Sequence, residues 1–100
     1  MSRFKLIRTW AKNKGIFDKG DSKTQLIKLV EEQGELAEGI LKNDIPEIKD
    51  AVGDMIVVLT NLCYFYDLKV EDCIDSAYDV IKNRKGKMIN NTFVKDENSN

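Results

Sequence analysis

Apolar residues recur at helical spacing through most of the chain, and short polar stretches interrupt the pattern. Four helices are predicted, over about 2–14, 22–42, 47–66 and from 70 to a point before Gly86. Gly15 is a predicted helix stop, and residues 16–21 are a predicted loop. Ser22 and Gln25 match a capping box with Ser22 as the N-cap. Residues 87–94 are compatible with a small hairpin about Asn90 and Asn91, and 96–100 are predicted to be frayed.

The predicted core stripes indicate which helix faces pack together. On the second helix the stripe comprises Leu26, Leu29, Val30, Ala37, Ile40 and Leu41. On the third it comprises Ile48, Ala51, Val52, Met55, Leu59 and Leu62. Because residues 55–59 are apolar on every side, the third helix is predicted to be covered all round. Four helices with short connections predict an all-α fold, a four-helix bundle with a short C-terminal tail or hairpin.

Composition narrows the function classes. A length of one hundred residues predicts a single domain, over residues 1–95, that gains from oligomerisation, and the net charge is -1. The charge argues against a general nucleic-acid or membrane partner. The sequence has neither a bilayer-length apolar run nor a signal peptide, so a cytoplasmic location is expected. Histidine is absent, which excludes Ser-His and Cys-His nucleophiles. Cys63 and Cys73 are predicted to be reduced core thiols.

The second predicted helix carries a group of glutamates. Glu32 and Glu35 share one face, and Glu31 and Glu38 flank them. Two carboxylates about 4 Å apart at an effective dielectric of about 20 repel by about 4 kcal/mol. If the site is buried, a cation must balance this charge, and hard oxygen ligands favour Mg²⁺. The alternative is a solvated acidic face, the usual outer side of an amphipathic helix.

The third predicted helix supplies a second acidic pair. Asp50 and Asp54 are four residues apart, hence on one face. If that helix is covered all round, these carboxylates are paired, protonated or bound to metal. Pairing with Lys28 or Lys49 is the structural alternative. Two acidic pairs on adjacent helices would form an oxygen-rich cage suited to Mg²⁺.

The ordered motifs resemble a known family. Glu31-Glu32-x-x-Glu35 is followed, after a loop, by an acidic pair ending in Gly53-Asp54 before an apolar run. This pattern is similar to the all-α nucleoside triphosphate pyrophosphohydrolases, and most of all to single-domain MazG-like proteins, including phage-borne ones. The resemblance extends over most of the chain, from Trp10 to the segment 92–95.

The resemblance implies hydrolysis of a nucleoside triphosphate to the monophosphate and pyrophosphate. It implies Mg²⁺, with Mn²⁺ as a substitute, held by Glu32, Glu35 and Asp54. Ala51 stands where the family has a glutamate, so the fourth ligand is either Asp50, which we prefer, or Glu47. Family members assemble as dimers or tetramers with the site near an interface, which implies a homodimer or homotetramer here.

Further roles are hypotheses about the reaction. Glu31 or Glu35 would accept the proton of a water. Trp10 would stack on a base and Asn61 would read its edge, although a core tryptophan and a helix-surface amide are the alternatives. The phosphate oxygens would be held by Lys28, Lys82, Arg84, Lys85 and Lys87. The four cations from 82 to 87 would otherwise be a solvated helix C-terminus. The rival function is a non-catalytic helical interaction or regulatory module with a vestigial acidic site; a DNA-binding role is opposed by the net charge.

Overall fold

The computed structural model describes residues 2–97, and the end of the predicted tail, 98–100, lies outside them. Within 2–97 the elements are α1 (Arg3–Asn13), α2 (Ile16–Lys19), α3 (Ser22–Lys42), α4 (Ile45–Tyr64), α5 (Val70–Ile81), β1 (Gly86–Ile89) and β2 (Thr92–Lys95). The chain divides into two compact units, one ending at Val70 and one beginning at Glu71. None of the helices in the described range could cross a membrane.

The first unit begins with two helices where the sequence predicted one helix and a loop. The Ser2 side chain caps α1 by accepting a hydrogen bond from the Lys5 backbone N–H at 3.2 Å. Gly15 ends this segment with a φ of +80°, which glycine adopts without steric cost. The loop prediction for 16–21 is wrong in part, because residues 16–19 form α2. Phe17 stabilises this short helix by stacking on Tyr64, with ring centroids 3.8 Å apart.

The start of α3 differs from the predicted capping box. Asp21 is the N-cap, and its carboxylate accepts a hydrogen bond from the Thr24 N–H at 2.7 Å. That bond holds the pKa of Asp21 below its usual value. Ser22 therefore lies inside the helix, and its hydroxyl is 3.0 Å from the Tyr66 hydroxyl. The prediction of Ser22 as N-cap is wrong because the preceding carboxylate takes that position.

Two residues join α3 to α4. Asn43 has a left-handed φ of 54°, and its N–H bonds to carbonyl groups of the last turn of α3. Asp44 caps α4 by accepting a bond from the Glu47 N–H at 3.1 Å. The helix begins at Ile45, two residues before the predicted start, with Pro46 in its first turn. Such a short link makes the two helices antiparallel neighbours.

The seam between α3 and α4 is narrower than the predicted core. The less exposed residues of α3 follow a three-and-four spacing: Ser22, Gln25, Leu29, Glu32, Leu36 and Gly39. Of the predicted α3 core stripe only Leu29 lies in this seam. The others are wrong, since Leu26, Val30, Ile40 and Leu41 are 53–87% exposed and Ala37 is also exposed. The apolar surface of α3 is wider than the single neighbour α4 can cover.

The fourth helix is also only partly covered. Among the described residues the buried apolar side chains are Ala11, Ala51, Val58 and Val70. Thr60 and Asn61 are buried as well, and the Thr60 hydroxyl donates to the Ile56 carbonyl at 2.7 Å. The prediction that this helix is covered all round is wrong in the single chain, where Val52 is 46% and Ile56 is 40% exposed.

The second unit contains most of α5 and an antiparallel hairpin. The hairpin confirms the predicted turn, since Asn90 and Asn91 both have positive φ, 50° and 69°, the pattern of a type I′ turn. Met88 pairs with Phe93 across the strands. Within residues 2–97 neither cysteine forms a disulfide, but Cys73 is exposed and Cys63 only partly buried, so the prediction of core thiols is wrong.

The contact at Gly39 generates a prediction about stability. A Cβ atom there would lie 3.1 Å from Ile48 Cγ1 and 3.2 Å from the Ile48 backbone N. We expect Gly39→Ala to lower the free energy of unfolding by about 1–3 kcal/mol, because the helices would have to separate. Chemical denaturation measures this difference.

Gly34→Ala on the same helix is the matched control. Beyond its own helix backbone, no atom of residues 2–97 lies within 4 Å of a Cβ placed at Gly34, so helix propensity alone should act and stabilise by up to about 1 kcal/mol. Equal stability of Gly39→Ala and the wild type would contradict the close approach of α3 and α4.

Candidate metal centre

Two neighbouring helices bring three carboxylates together. Glu32 and Glu35 lie one turn apart on α3, and Asp54 lies on the adjacent face of α4. One oxygen from each lies within 4.8 Å of the other two. We call Glu32, Glu35 and Asp54 the carboxylate cluster. The sequence predicted that two acidic pairs on adjacent helices would face each other, and three of those four acids lie together while Asp50 does not. Their role as metal ligands stays a prediction.

Glu32 is the most shielded member of the cluster. It is partly buried, whereas Glu35 and Asp54 are exposed. Its Oε2 atom is shielded from solvent and has no hydrogen-bond partner within residues 2–97. Burial raises the pKa of Glu32, and the hydrogen bond and charge of Glu35 raise it further, followed by the charge of Asp54. Glu32 therefore holds a proton more tightly than a solvated glutamate would.

The geometry suits a small divalent cation. Opposite ligands of an octahedral Mg²⁺ lie about 4.2 Å apart, since each oxygen is at about 2.1 Å. The three oxygens lie within 4.8 Å of one another, slightly wider than that span, so a small side-chain movement would bring all three to one cation. Carboxylate oxygens are the hard donors that Mg²⁺, Mn²⁺ and Ca²⁺ prefer. A cation would also give the shielded oxygen of Glu32 a partner.

The remaining acids lie outside the cluster. Asp50 is exposed, which contradicts its predicted burial, and Asp54 is exposed too. Glu47 is partly buried, and burial followed by the charge of Glu38 raises its pKa. Glu38 itself forms an ion pair with Lys42. Neither Asp50 nor Glu47 is part of the cluster, so the choice of a fourth ligand stays a prediction.

Neither Glu31 nor Ala51 belongs to the cluster, for different reasons. Glu31 is exposed and contributes charge that raises the pKa of Glu32. Ala51, at the position where the resembling family has glutamate, is only 1% exposed and lies in the seam. The ligand that the family would supply there is absent from this helix.

A groove between α1 and α4 adjoins the cluster. Its volume is about 400 Å³, and it is lined by Arg3, Leu6, Ile7, Trp10, Asp54 and Val57. Asp54 therefore belongs to both the groove and the cluster. Trp10 is 49% exposed, so the alternative of a core tryptophan is wrong. Sequence reasoning missed Arg3, although its spacing of seven from Trp10 places both on one face of a helix.

The other predicted substrate groups are not gathered at the groove. Asn61 is 2% exposed, and its Oδ1 has no hydrogen-bond partner among residues 2–97, but it does not line the groove. The alternative prediction, that Asn61 is an amide on the helix surface, is also wrong. Lys28 is exposed on α3. Lys82 pairs with Asp79 at 3.1 Å within the second unit, which also contains Arg84, Lys85 and Lys87.

Comparisons with known proteins agree with the motif pattern. Residues 21–89 match the model of the MazG nucleotide pyrophosphohydrolase domain. An uncharacterized 18.2 kDa protein from the rep-hol intergenic region of Haemophilus phage HP1 is 41% identical over 58 residues. That match covers 58% of this chain and 36% of the phage protein, so the aligned part is about a third of the relative's length. No solved structure matches significantly.

The crowded charge at Glu32 leads to a test of stability without metal. We expect Glu32→Gln to raise the melting temperature in EDTA at pH 8, because it removes a shielded charge facing two carboxylates. The wild type should regain stability as the pH falls through the raised pKa of Glu32 towards its ordinary value, since protonation relieves the same repulsion. The difference between the two proteins should therefore shrink at acidic pH, as differential scanning calorimetry can measure.

Glu31→Gln is the control for this measurement. It removes an equal charge from an exposed neighbour outside the cluster and should change the melting temperature much less. A Glu32→Gln variant that melts below the wild type at pH 8 in EDTA would show that the charged Glu32 carboxylate does not destabilise the fold.

Proposed function

Because the chain belongs to the MazG nucleotide pyrophosphohydrolase family, we propose that it hydrolyses nucleoside triphosphates to monophosphates and pyrophosphate in a Mg²⁺-dependent reaction. The family match covers residues 21–89 and includes the whole carboxylate cluster. The convergence of the three oxygens within 4.8 Å is the observation that carries the proposal. Deoxynucleoside triphosphates are included in the proposed substrate class.

Glu32, Glu35 and Asp54 would hold Mg²⁺, or Mn²⁺ in its place. Bound there, the cation would neutralise phosphate charge and lower the pKa of a coordinated water. Asp50 remains our preferred fourth ligand and Glu47 the alternative, although either side chain would have to turn towards the cluster. The acids around the cluster otherwise repel a triphosphate of about four negative charges, so cation binding precedes substrate binding in this proposal.

The other residues would act on the proton and the phosphates. Glu31 is the favoured acceptor for the proton of the attacking water, since Glu35 already belongs to the cluster. Lys28 lies one helical turn before Glu32, on the same side of α3, and would bind a phosphate oxygen. The same role is proposed for Lys82, Arg84, Lys85 and Lys87.

The groove between α1 and α4 is the proposed nucleoside site. Its apolar floor and the exposed Trp10 ring offer a stacking surface for a base. The shared residue Asp54 would then place the phosphates beside the cation and the base in the groove. A base-reading role for Asn61 stays a prediction, because its amide is buried away from the groove lining.

The second candidate function is a non-catalytic helical interaction or regulatory module. Ala51 favours this second function, because it replaces a family ligand and its own side chain is buried. Such a module would release no pyrophosphate from any nucleoside triphosphate. It would also gain no thermal stability from Mg²⁺, whereas a tenfold excess over the dissociation constant would stabilise the enzyme by about 1.4 kcal/mol.

The proposed reaction is tested with a panel of nucleoside and deoxynucleoside triphosphates, Mg²⁺ and a pyrophosphate assay. We expect pyrophosphate release by the wild type and at least about a 100-fold loss of kcat in Glu32→Gln and in Asp54→Asn, because each removes a charged cation ligand. Circular dichroism should show unchanged helicity in both variants.

Asp18→Asn, on α2, is the matched control, since it removes a carboxylate that is outside the cluster and the groove. It should retain wild-type turnover. Full activity in Glu32→Gln or Asp54→Asn would remove these carboxylates from the mechanism.

We also propose that two copies associate through one apolar surface of α3 and α4. This apolar face comprises Leu26, Val30, Ile40, Ile45, Val52 and Ile56, which are 40–64% exposed. The α3 members are five or nine residues from Glu35, and the α4 members are two or nine from Asp54. At about 100° per residue five of them lie on the side away from the cluster, and Ile40, about 80° from Glu32, lies between the two sides.

A second copy of the same face is the occupant that fits best. An apolar helix surface of this kind matches itself about a two-fold axis, and the exposed Lys23 and Lys49 at the same helical phase would extend their charged ends to its rim. The first unit needs the added burial, because few apolar side chains are buried in the described single chain. Association would leave the cluster and the groove open to substrate. Pairing of two such dimers would give the homotetramer as the larger alternative.

Light scattering coupled to size-exclusion chromatography tests the association. We expect the wild type to elute as a dimer or tetramer and Ile56→Lys to shift towards the monomer, because a charge would be buried in the apolar face. Thr9→Lys adds the same charge to an exposed position of α1 and should not alter the mass. A wild type that is monomeric at micromolar concentration would contradict the proposal.

A further inference from the structure

The groove that adjoins the cluster has an unusual balance of polar groups. Its charged lining residues are one cation, Arg3, and one carboxylate, Asp54. Leu6, Ile7 and Val57 are apolar, and the indole of Trp10 can only donate a hydrogen bond. With Asp54 engaged in the cluster, the groove side chains provide hydrogen-bond donors to a bound ligand but no acceptor.

Arg3 is placed to reach a base that rests on Trp10. The two residues are seven apart on α1, which puts them on one face about 10 Å apart along the axis. Leu6 and Ile7 lie between them, so the edge of a base stacked on Trp10 can extend over this floor towards Arg3. Within residues 2–97 no ion pair engages the Arg3 guanidinium, so its donors are available to a ligand.

Stacking and hydrogen bonding make different contributions to base choice. Every base has a π-face, so Trp10 would tolerate all of them. A guanidinium carries paired donors in a fixed fork and no acceptor. Guanine presents two neighbouring acceptors, O6 and N7, to such a fork, whereas adenine presents the acceptor N7 beside a donor amino group. Arg3 can therefore bind guanine through two bonds and adenine through one.

We infer that Arg3 reads the base of the substrate and makes this protein prefer guanine over adenine nucleotides. The inference rests on the proposed function, which places the nucleoside in the groove. The preference should be about tenfold, the lower part of the range for one bidentate pair, because Arg3 is exposed to water. Arg3 is thus a specificity-determining residue that the motif pattern does not contain.

Binding of nucleoside monophosphates tests the inference without requiring hydrolysis. Trp10 is the only tryptophan in the chain, so its fluorescence reports directly on the groove. Titration with GMP and with AMP should quench the fluorescence, with a dissociation constant about tenfold lower for GMP. Absence of a response to either nucleotide would overturn the assignment of the groove.

Two substitutions of Arg3 separate base reading from phosphate binding. Glutamine can pair with adenine N6 and N7, so Arg3→Gln should reduce the GMP preference and shift it towards AMP. Arg3→Lys keeps the charge but loses the fork, so it should reduce the preference while retaining overall affinity. Equal weakening of GMP and AMP binding in Arg3→Gln, with the ratio unchanged, would assign Arg3 to the phosphate and overturn the inference.

Lys5→Gln is the matched control, since it removes one positive charge from the exposed side of the same helix and does not line the groove. Its GMP-to-AMP ratio should equal that of the wild type. Triphosphate hydrolysis is measured separately. An active enzyme with an unchanged ratio in Arg3→Gln would overturn base reading alone, and an inactive protein that still prefers GMP through Arg3 would overturn hydrolysis alone.

Discussion

Electrostatic repulsion among three carboxylates on two adjacent helices is the constraint on which the rest of the structure depends. Packing of α3 against α4 brings Glu32, Glu35 and Asp54 within 4.8 Å, and burial of Glu32 strengthens their mutual repulsion. A fold that keeps this arrangement must offset it by contacts elsewhere or by a bound cation. The seam provides part of the offset, while burial, followed by the hydrogen bond and charge of Glu35 and the charge of Asp54, keeps the pKa of Glu32 raised.

The thin core and the apolar face follow from the same helical hairpin. One side of the α3–α4 pair carries the cluster and borders the groove. Covering that side with apolar side chains would close the site. The opposite side carries the exposed apolar residues. A small helical unit that keeps one side open for chemistry therefore has to bury its apolar surface on the other side, which is the physical reason for proposing self-association.

The sequence predicted the helices and the cluster better than it predicted their packing. Helical periodicity and the spacing within each acidic pair are local properties, so the elements and the pairs could be inferred. The family resemblance singled out Glu32, Glu35 and Asp54 among those acids. Which apolar stripe faces a neighbour is a tertiary property; Val30 matches the predicted core as well as Leu29 does, yet it is exposed. Ser22 and Asp21 compete for one cap, and only the backbone geometry decides between them. Arg3 joins the site through the approach of α1 to α4, which no motif encodes.

The contact between Gly39 and Ile48 has a mechanical consequence for the cluster. It lies about one turn from the two-residue link, so any opening of α3 from α4 would turn about it as a pivot. Glu35 and Asp54 are four and six residues beyond that pivot, about 6–9 Å along each helix. If the helices opened by about 5°, these carboxylates would separate by less than ~1 Å at that rise per residue. The same rotation would separate the distant ends of the helices, near Ser22, several times further. Separation of the helices at that end therefore changes the distances between the acids very little.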